Sequence, residues 1–561
     1  MQRIPLQRLL GDGGMATYVT AYNVYFVLLV LATAGFPSAI AKLVAEKYAL
    51  GRADEGEAIR RSALRYALAA GVVATVAVFA AAPAISAING DPDAALAIQA
   101  LAPALLVFPW IAVERGYFHG RQRMGANGLS QIWEQILRVA SSVLLAYVLL
   151  QFGFGLAWAA AGASFGGVLG AAAAAGVMLY YGAKLRKEEA ASGAKAFAAA
   201  SGGGDGAAAV PSLSAASGAG TGGAPSADAS AAPLGPPSAA AIAASVDPSS
   251  TRSILRAIFK LSLPVSVTAL AVPVVYLIDS LVTIPLLRGQ LGAETAKDVL
   301  GMLQGRAQSL AGIPVIFAIA LSQSILPIIS GAFAKGDSGE VERQTSLALR
   351  MTLLSGVPVV AVLASAAFPL NAFIFGDADG SWIIVALVCS VVFQIVMMTS
   401  GSILLGLGRP EQPMKHIGVG IAVKLALSFL LAPFLGIYGI VAATAACFAV
   451  TMALNLRALR RAVRFRAMGG RAVPFAATAL LQAAIGGAVA WAAVAYVRPF
   501  GSPMWDALLQ TLLAAVAAGG AYPVLLMRTK AIAPEDVAAL PGPLRKLWSR
   551  VESALRRLRV V

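Results

Sequence analysis

Cysteine and histidine are almost missing from this chain, with two of each in 561 residues. Cys389 and Cys447 both lie in apolar stretches, which excludes a disulfide framework and any zinc-type spacing. His119 and His416 sit in separate segments, so no metal cluster and no Ser/His/Asp triad can be assembled. Charge is scarce too: 12% of residues are charged and 58% hydrophobic, against about 25% and about 45–50% in soluble domains. Water cannot solvate that excess of apolar surface, and lipid can. The formal net charge of +16 would suggest nucleic acid in a soluble chain. Here the basic residues fall between apolar runs, where they set orientation, so nucleic-acid binding is not expected. The expected class is an all-α integral membrane protein without enzymatic chemistry.

The apolar runs have the length of membrane helices, about 20 residues, and lack the alternation of barrel strands. Five cover residues 18–44, 62–88, 95–114, 130–152 and 155–181. Eight more cover 254–287, 308–333, 346–375, 381–407, 417–435, 438–459, 473–497 and 504–526. Between the two sets, residues 184–250 are Ala, Gly, Ser and Pro with few large apolar side chains, which predicts a disordered loop. The resulting division is an N-terminal lobe over 1–183, the loop, a C-terminal lobe over 251–466, a helix pair over 467–528 and a tail over 529–561. In the tail, Leu544, Leu547, Trp548, Val551, Leu555 and Leu558 form an apolar stripe opposite arginines, which predicts a helix lying on the membrane surface.

Connections rich in Lys and Arg alternate with connections that are acidic or nearly uncharged. Lys47, Arg52, Arg60 and Arg61 precede an acidic link at 89–93, and Arg457, Arg460, Arg461, Arg464 and Arg466 precede a link with Arg498 alone. The basic connections and the C-terminal tail are therefore expected in the cytoplasm, with the protein in the cell membrane. This orientation leaves Arg3 and Arg8 outside with no helix to carry them there, so the expectation is that the first helix is largely missing from this chain. A short internal repeat agrees. Pro37-Ser38-Ala39-Ile40, Lys47 and the SALR ending at Arg65 match Pro327-Ile328-Ile329-Ser330, Lys335 and the SLALR ending at Arg350. Six helices separate the copies, which predicts two six-helix halves in parallel pseudo-repeat plus a C-terminal helix pair.

Charges within a span cost about 2.5–3.5 kcal/mol on insertion scales and mark cavities or pathways. Asp279 lies inside one span, Lys424 inside another, and Arg306 about a turn before a third. Glu134 and Arg138, four apart, share a helix face and can neutralise each other. Asp279 and Glu134 are therefore candidates for an ion site or for structural pairs. Prolines and glycines interrupt many spans, as suits halves that rock against one another.

Five segments carry a family likeness: RIPLQRLLGDGG from Arg3, LATAGFPSAIAKLVAE ending at Glu46, RGYFHGRQRM from Arg115, SQIWEQILRV from Ser130, and ILLGLGRPEQP from Ile403. They resemble the polysaccharide-exporter branch of the MATE-like flippases in the MOP superfamily, the SpoVB and YtgP type, related to the lipid II flippases of the MurJ type. The resemblance implies a transporter of fourteen helices that moves an undecaprenyl-diphosphate-linked sugar, most simply lipid II, from the inner to the outer leaflet by alternating access. Membrane lipids and cell-wall synthesis proteins are the implied partners. By the same resemblance Arg3 and Arg306 face a central cavity and meet diphosphate, as guanidinium forks are suited to do. Residues 26–31, where MurJ proteins place further arginines, are apolar here, so Arg138 and Lys424 are the candidates that take their place as substrate ligands.

Rival readings are an exporter of another lipid-linked saccharide, a sporulation-specific version, a MATE-type drug/cation antiporter, and a scaffold that recruits cell-wall enzymes. An antiporter would favour an acid-rich cavity, and a scaffold would tolerate alanine at Asp279, Lys424 and Arg306. No cofactor is expected. Two drivers fit the residues: the membrane potential acting on a cationic cavity, and a proton or monovalent cation at Asp279. The lipid II reading has a physical condition, that Arg306, Arg138 and Lys424 are not all locked to acids around a neutral or acidic hollow.

Overall fold

The computed structural model describes residues 2–33, 35–201 and 250–532, with 536, 537, 545, 549 and 553. Among these residues every regular element is helical, and thirteen helical segments are long and apolar enough to cross a membrane. A backbone in hydrocarbon has no water to bond, so a helix that satisfies its own N–H and C=O groups is the form these apolar runs adopt. The first lobe comprises α1 (Arg3–Thr33), α2 (Phe36–Ala49), α3 (Ala53–Asn89), α4 (Ala94–Leu101), α5 (Ala104–Gly120), α6 (Met124–Gln151) and α7 (Gly155–Ser201). The second comprises α8 (Thr251–Ala269), α9 (Ala271–Leu291), α10 (Ala293–Gly301), a π-helical turn (Met302–Ala307), α11 (Gln308–Ala334), α12 (Ser338–Ser365), α13 (Ala367–Phe375), α14 (Ser381–Gly406), α15 (Glu411–Leu435) and α16 (Ile437–Ala462). The pair α17 (Ala472–Tyr496) and α18 (Pro503–Arg528) follows.

Several boundaries differ from the hydropathy reading. Residues 3–10, too polar to be counted as part of a span, are helical and join the next segment through a bend at Gly11, whose φ of 65° suits glycine. The single runs expected over 95–114, 254–287 and 346–375 are each broken in two, at 102–103, Leu270 and Ala366. Proline helps in two of these: Pro103 caps α5, and Pro273 lies in the first turn of α9, where its missing N–H has no intrahelical acceptor to lose. The run expected from residue 308 begins fifteen residues earlier, because the Ala, Glu and Lys of α10 are good helix formers despite their polarity. Arg306 thus lies inside a continuous helical segment instead of ahead of it. Residues 184–201, assigned to the disordered loop, continue α7, where Ala, Lys and Glu favour helix. Residues 202–249 and most of the expected surface helix lie outside the described residues.

The internal repeat has a structural counterpart. α2 leads into α3 through a turn with Gly51 at φ 73°, and α11 into α12 through a turn with Gly336 at φ 71°. In each turn the N–H after the glycine bonds back to a carbonyl five residues earlier, Arg52 to Lys47 and Asp337 to Ala332. Close helix packing rests on small residues. Gly116 and Gly120 in α5 are four apart and face α2, where added Cβ atoms would come within 2.8 Å of the Pro37 carbonyl oxygen and 2.7 Å of that of Ala41. α17 and α18 lean on α12 through Gln482 Nε2 donating to Pro358 O at 3.1 Å and Tyr522 Oη donating to Leu354 O at 2.8 Å. Large apolar side chains such as Phe434, Val473, Trp491 and Val516 are exposed, as lipid-facing groups should be. Replacing Gly116 by leucine is expected to force α5 from α2 and cost about 1–3 kcal/mol. A lowered thermal unfolding midpoint of purified protein checks this, and leucine at the open position Gly128 should leave the midpoint unchanged.

Candidate functional site

The two lobes meet along α1, which runs against α9, α10 and the π-helical turn of the second lobe. At the centre of this seam is a knot of amides. Asn23 Nδ2 donates to Ser280 Oγ at 2.7 Å and to Gln304 Oε1 at 2.5 Å, and Gln304 Nε2 donates to Tyr276 O at 3.0 Å. Arg3 joins the same knot, its Nη1 donating to Gln304 O at 2.9 Å and Gln308 Oε1 at 2.8 Å. Its guanidinium lies over the Tyr22 ring, 5.5 Å from the centroid. Among the described residues Arg3 has no acidic partner.

The other sequence candidates are dispersed. Arg138 and Glu134 pair in α6 at 2.6 Å, and Arg115 of α5 reaches the other oxygen of Glu134 at 2.8 Å. One carboxylate between two guanidiniums leaves one positive charge over, and the buried Nε of Arg138 has no hydrogen-bond partner among the described residues. Lys424 is 0% exposed inside the second lobe, where Nζ donates to Asp279 Oδ1 at 2.5 Å and to Thr444 Oγ1 at 2.5 Å. Asp279 is therefore met by an ammonium from a neighbouring helix.

Arg306 is at one end of the seam. It donates Nε to Asp12 Oδ1 at 2.8 Å and Nη1 to Asp377 Oδ2 at 3.2 Å, and Nη2 bonds the second oxygen of Asp12. Burial pushes the Asp377 carboxyl up, but the N–H of Asp379 and the Arg306 guanidinium outweigh it and hold the group below the usual carboxylate range. A lowered folded-state value means this ion pair is intact above the ordinary carboxylate range and fades as pH falls through that lowered value. At the same end Lys297 reaches Asp91 at 2.8 Å and Asp93 at 2.9 Å, and Arg8 donates to the carbonyls of Phe373 and Ile374 at the end of α13.

The arrangement corrects the expected cationic cavity. Arg306, Arg138 and Lys424 all contact acids, so they do not gather as free cations, and the condition set on these three residues for a lipid II cargo is not met by them. Only Arg3 and the surplus charge shared by Arg115 and Arg138 fit that expectation. Sequence reasoning missed Asp12, Asn23, Asp91, Arg115 and Gln304. Asn23 inside an apolar run was the available signal, while Asp12 and Asp91 are hundreds of residues away in sequence from Arg306 and Lys297.

Comparisons with known proteins match two separate stretches of the chain. Residues 1–199 match the family described as polysaccharide biosynthesis protein, and residues 305–504 match the family described as lipid II flippase MurJ. These partial matches support a flippase of the MOP superfamily. It is 27% identical to an uncharacterized membrane protein, YabM, of Bacillus subtilis (strain 168), over 98% of this chain and 93% of that protein. It is 22% identical to the lipid II flippase MurJ of the same organism, over 82% of this chain and 78% of that protein. A solved lipid II flippase MurJ in an inward closed conformation superposes with a TM-score of 0.61 at 12% identity, covering 94% of this chain and 96% of the other, a likeness of fold. The MATE and MurJ proteins that it resembles are named as a transporter and a flippase.

The buried Lys424 and Asp279 pair makes a sharp stability prediction. Removing one partner strands a charge, so Lys424→Met is expected to cost about 3–5 kcal/mol, whereas Lys424→Met with Asp279→Asn should recover most of that loss. Thermal unfolding of the two variants in detergent decides it: a double variant no more stable than the single one would show that the pair is not the relevant contact.

Proposed function

We propose that this protein is a flippase for an undecaprenyl-diphosphate-linked cell-wall precursor, lipid II, which it carries from the inner to the outer leaflet of the cell membrane by alternating access of its two lobes. The basic connections and the C-terminus lie on the cytoplasmic side in this reading. The observation that carries it is Arg3: a guanidinium between the lobes, held by an amide, a carbonyl and an aromatic face, with no carboxylate among the described residues to neutralise it. A diphosphate is the partner such a group lacks, since guanidinium forks bind phosphate oxygens bidentately and keep their charge. The extra positive charge on Arg115 and Arg138 supports the same cargo from within the first lobe. Arg306 and Lys424, both met by acids, are removed from the set of cargo ligands in this conformation. The relatives named as lipid II flippases support the choice of lipid II among such cargoes.

A drug/cation antiporter is less well supported. Its cation would need a free acid in the membrane, and Asp279, the deep one, is held by Lys424. Export of a different lipid-linked saccharide keeps one specific support, the match of the first 199 residues to a polysaccharide biosynthesis family. Purified protein in liposomes separates the two readings. Fluorescent lipid II should flip faster than in empty vesicles, and faster than an undecaprenyl-diphosphate carrying an unrelated saccharide. Arg3→Ala and Arg138→Ala should each slow flipping by about tenfold or more, with Arg3→Lys slowed less, as loss of a charge-assisted contact of about 1.5–3 kcal/mol implies. Flipping of the unrelated saccharide alone would move the function to the second reading, and flipping of neither would reject both.

A further inference from the structure

The contacts that join the lobes differ sharply between the two ends of the seam. At the end holding α10 and the π-helical turn, every ion pair that crosses the lobes among the described residues is found: Lys297 with Asp91 and Asp93, and Arg306 with Asp12. Asp91 is 1% exposed and also accepts a hydrogen bond from Thr17 Oγ1 at 2.6 Å. At the opposite end the crossing contacts are neutral, Gly35 N–H to Ser266 Oγ at 3.2 Å and Ser62 Oγ near Thr251 Oγ1 at 3.5 Å. Fit is tight at the charged end as well. A Cβ on Gly301 would strike the carbonyl of Asp12, and one on Gly305 would strike the Gln7 side chain and come within 2.7 Å of Met15 Cγ.

Backbone irregularities flank this contact on both sides. Gly11, next to Asp12, has non-helical angles, and Arg306 lies in the π-helical turn Met302–Ala307, an uncommon form concentrated at functional positions. The acids around Arg306 also come from different lobes. Asp12 belongs to the first lobe, whereas Asp377, in the link between α13 and α14, belongs to the same lobe as Arg306. When the lobes part, Arg306 loses Asp12 but keeps Asp377, so its charge is never left alone in a low-dielectric site.

We infer that Lys297 and Arg306 form a two-point latch that closes this end of the transporter, and that opening of the latch leaves Arg306 to Asp377 alone. The charge bias of the connections places this end outside the cell. The latch stands whatever the cargo proves to be, because it concerns closure of the lobes and not the group carried. It also gives the two acids on one arginine opposite roles. Asp12 favours the closed state, and Asp377 lowers the cost of the open one.

Met15, 0% exposed and covered by Gly305 of the other lobe, reports opening. The test is the rate at which a hydrophilic maleimide labels Met15→Cys in protein whose Cys389 and Cys447 are replaced by alanine, reconstituted in nanodiscs so that both faces are accessible. Lys297→Gln and Asp12→Asn are each expected to raise the rate about tenfold, and Asp377→Asn to lower it about threefold. Unfolding midpoints measured alongside separate gate opening from loss of structure, and Asp12→Glu should restore slow labelling. A shift in the same direction for Asp12→Asn and Asp377→Asn would overturn the opposite roles of the two acids, and an unchanged rate in Lys297→Gln would overturn the latch.

Discussion

A charge buried in hydrocarbon has to be met by an opposite charge, and this requirement arranges the protein. Each intramembrane cation here is resolved in a different way. Lys424 is answered within its own lobe by Asp279 and Thr444, leaving a neutral, buried group that can move as part of a rigid body. Arg138 is answered within the first lobe, but its acid is shared with Arg115, so the answer is incomplete. Arg306 is answered mainly across the seam, so its neutralisation depends on how the lobes are placed. Arg3 is answered by no acid among the described residues. Neutral groups hold a lobe together, incomplete ones offer a place for an anion, and cross-lobe ones make lobe position an electrostatic variable.

How much of this was legible in the sequence follows from the range over which each contact acts. Hydropathy located the thirteen spans, because solvation by lipid is a property of twenty neighbouring residues and needs no partner. The Glu134 and Arg138 pair was legible because four residues bring side chains to one helix face. Lys424 was legible only as a problem: an ammonium in mid-span with no acid in its own segment implies a partner elsewhere, and Asp279 proved to be that partner from 145 residues away. Asp12 and Arg306 are 294 residues apart, and nothing local to either announces the other. The expectation of a cationic cavity failed for that reason, since it counted cations in the membrane without the acids that a second lobe brings to them.

Uncharged polar residues were illegible for a different reason. Asn23 and Gln304 carry no charge, cost less to bury than an ion, and so leave only a faint mark on a hydropathy profile, yet they tie α1 to the second lobe at the centre of the seam. An amide has both donors and acceptors, which lets it exchange partners without stranding a charge. Such groups suit the middle of an interface that slides, where an ion pair would resist each displacement.

The seam therefore has an electrical polarity as well as a mechanical one. Its centre holds the guanidinium of Arg3, which has no acidic partner among the described residues, while the end with α10 gathers Asp12, Asp91, Asp93 and Asp377 around Lys297 and Arg306, with Arg8 on backbone carbonyls beside them. With the lobes together those acids are largely spent on the two cations. With the lobes apart, Asp12, Asp91 and Asp93 stay on one wall and Lys297 and Arg306 on the other, so the acids are exposed while the mouth keeps its balance of charge. An anionic headgroup that has left the centre would find no cationic station of the Arg3 kind in such a mouth and would not be held there. The same acids that exclude a simple cationic cavity thus fit a carrier of anions, provided that the cationic station and the acidic mouth are separate places along the path, as Arg3 and the Lys297 cluster are.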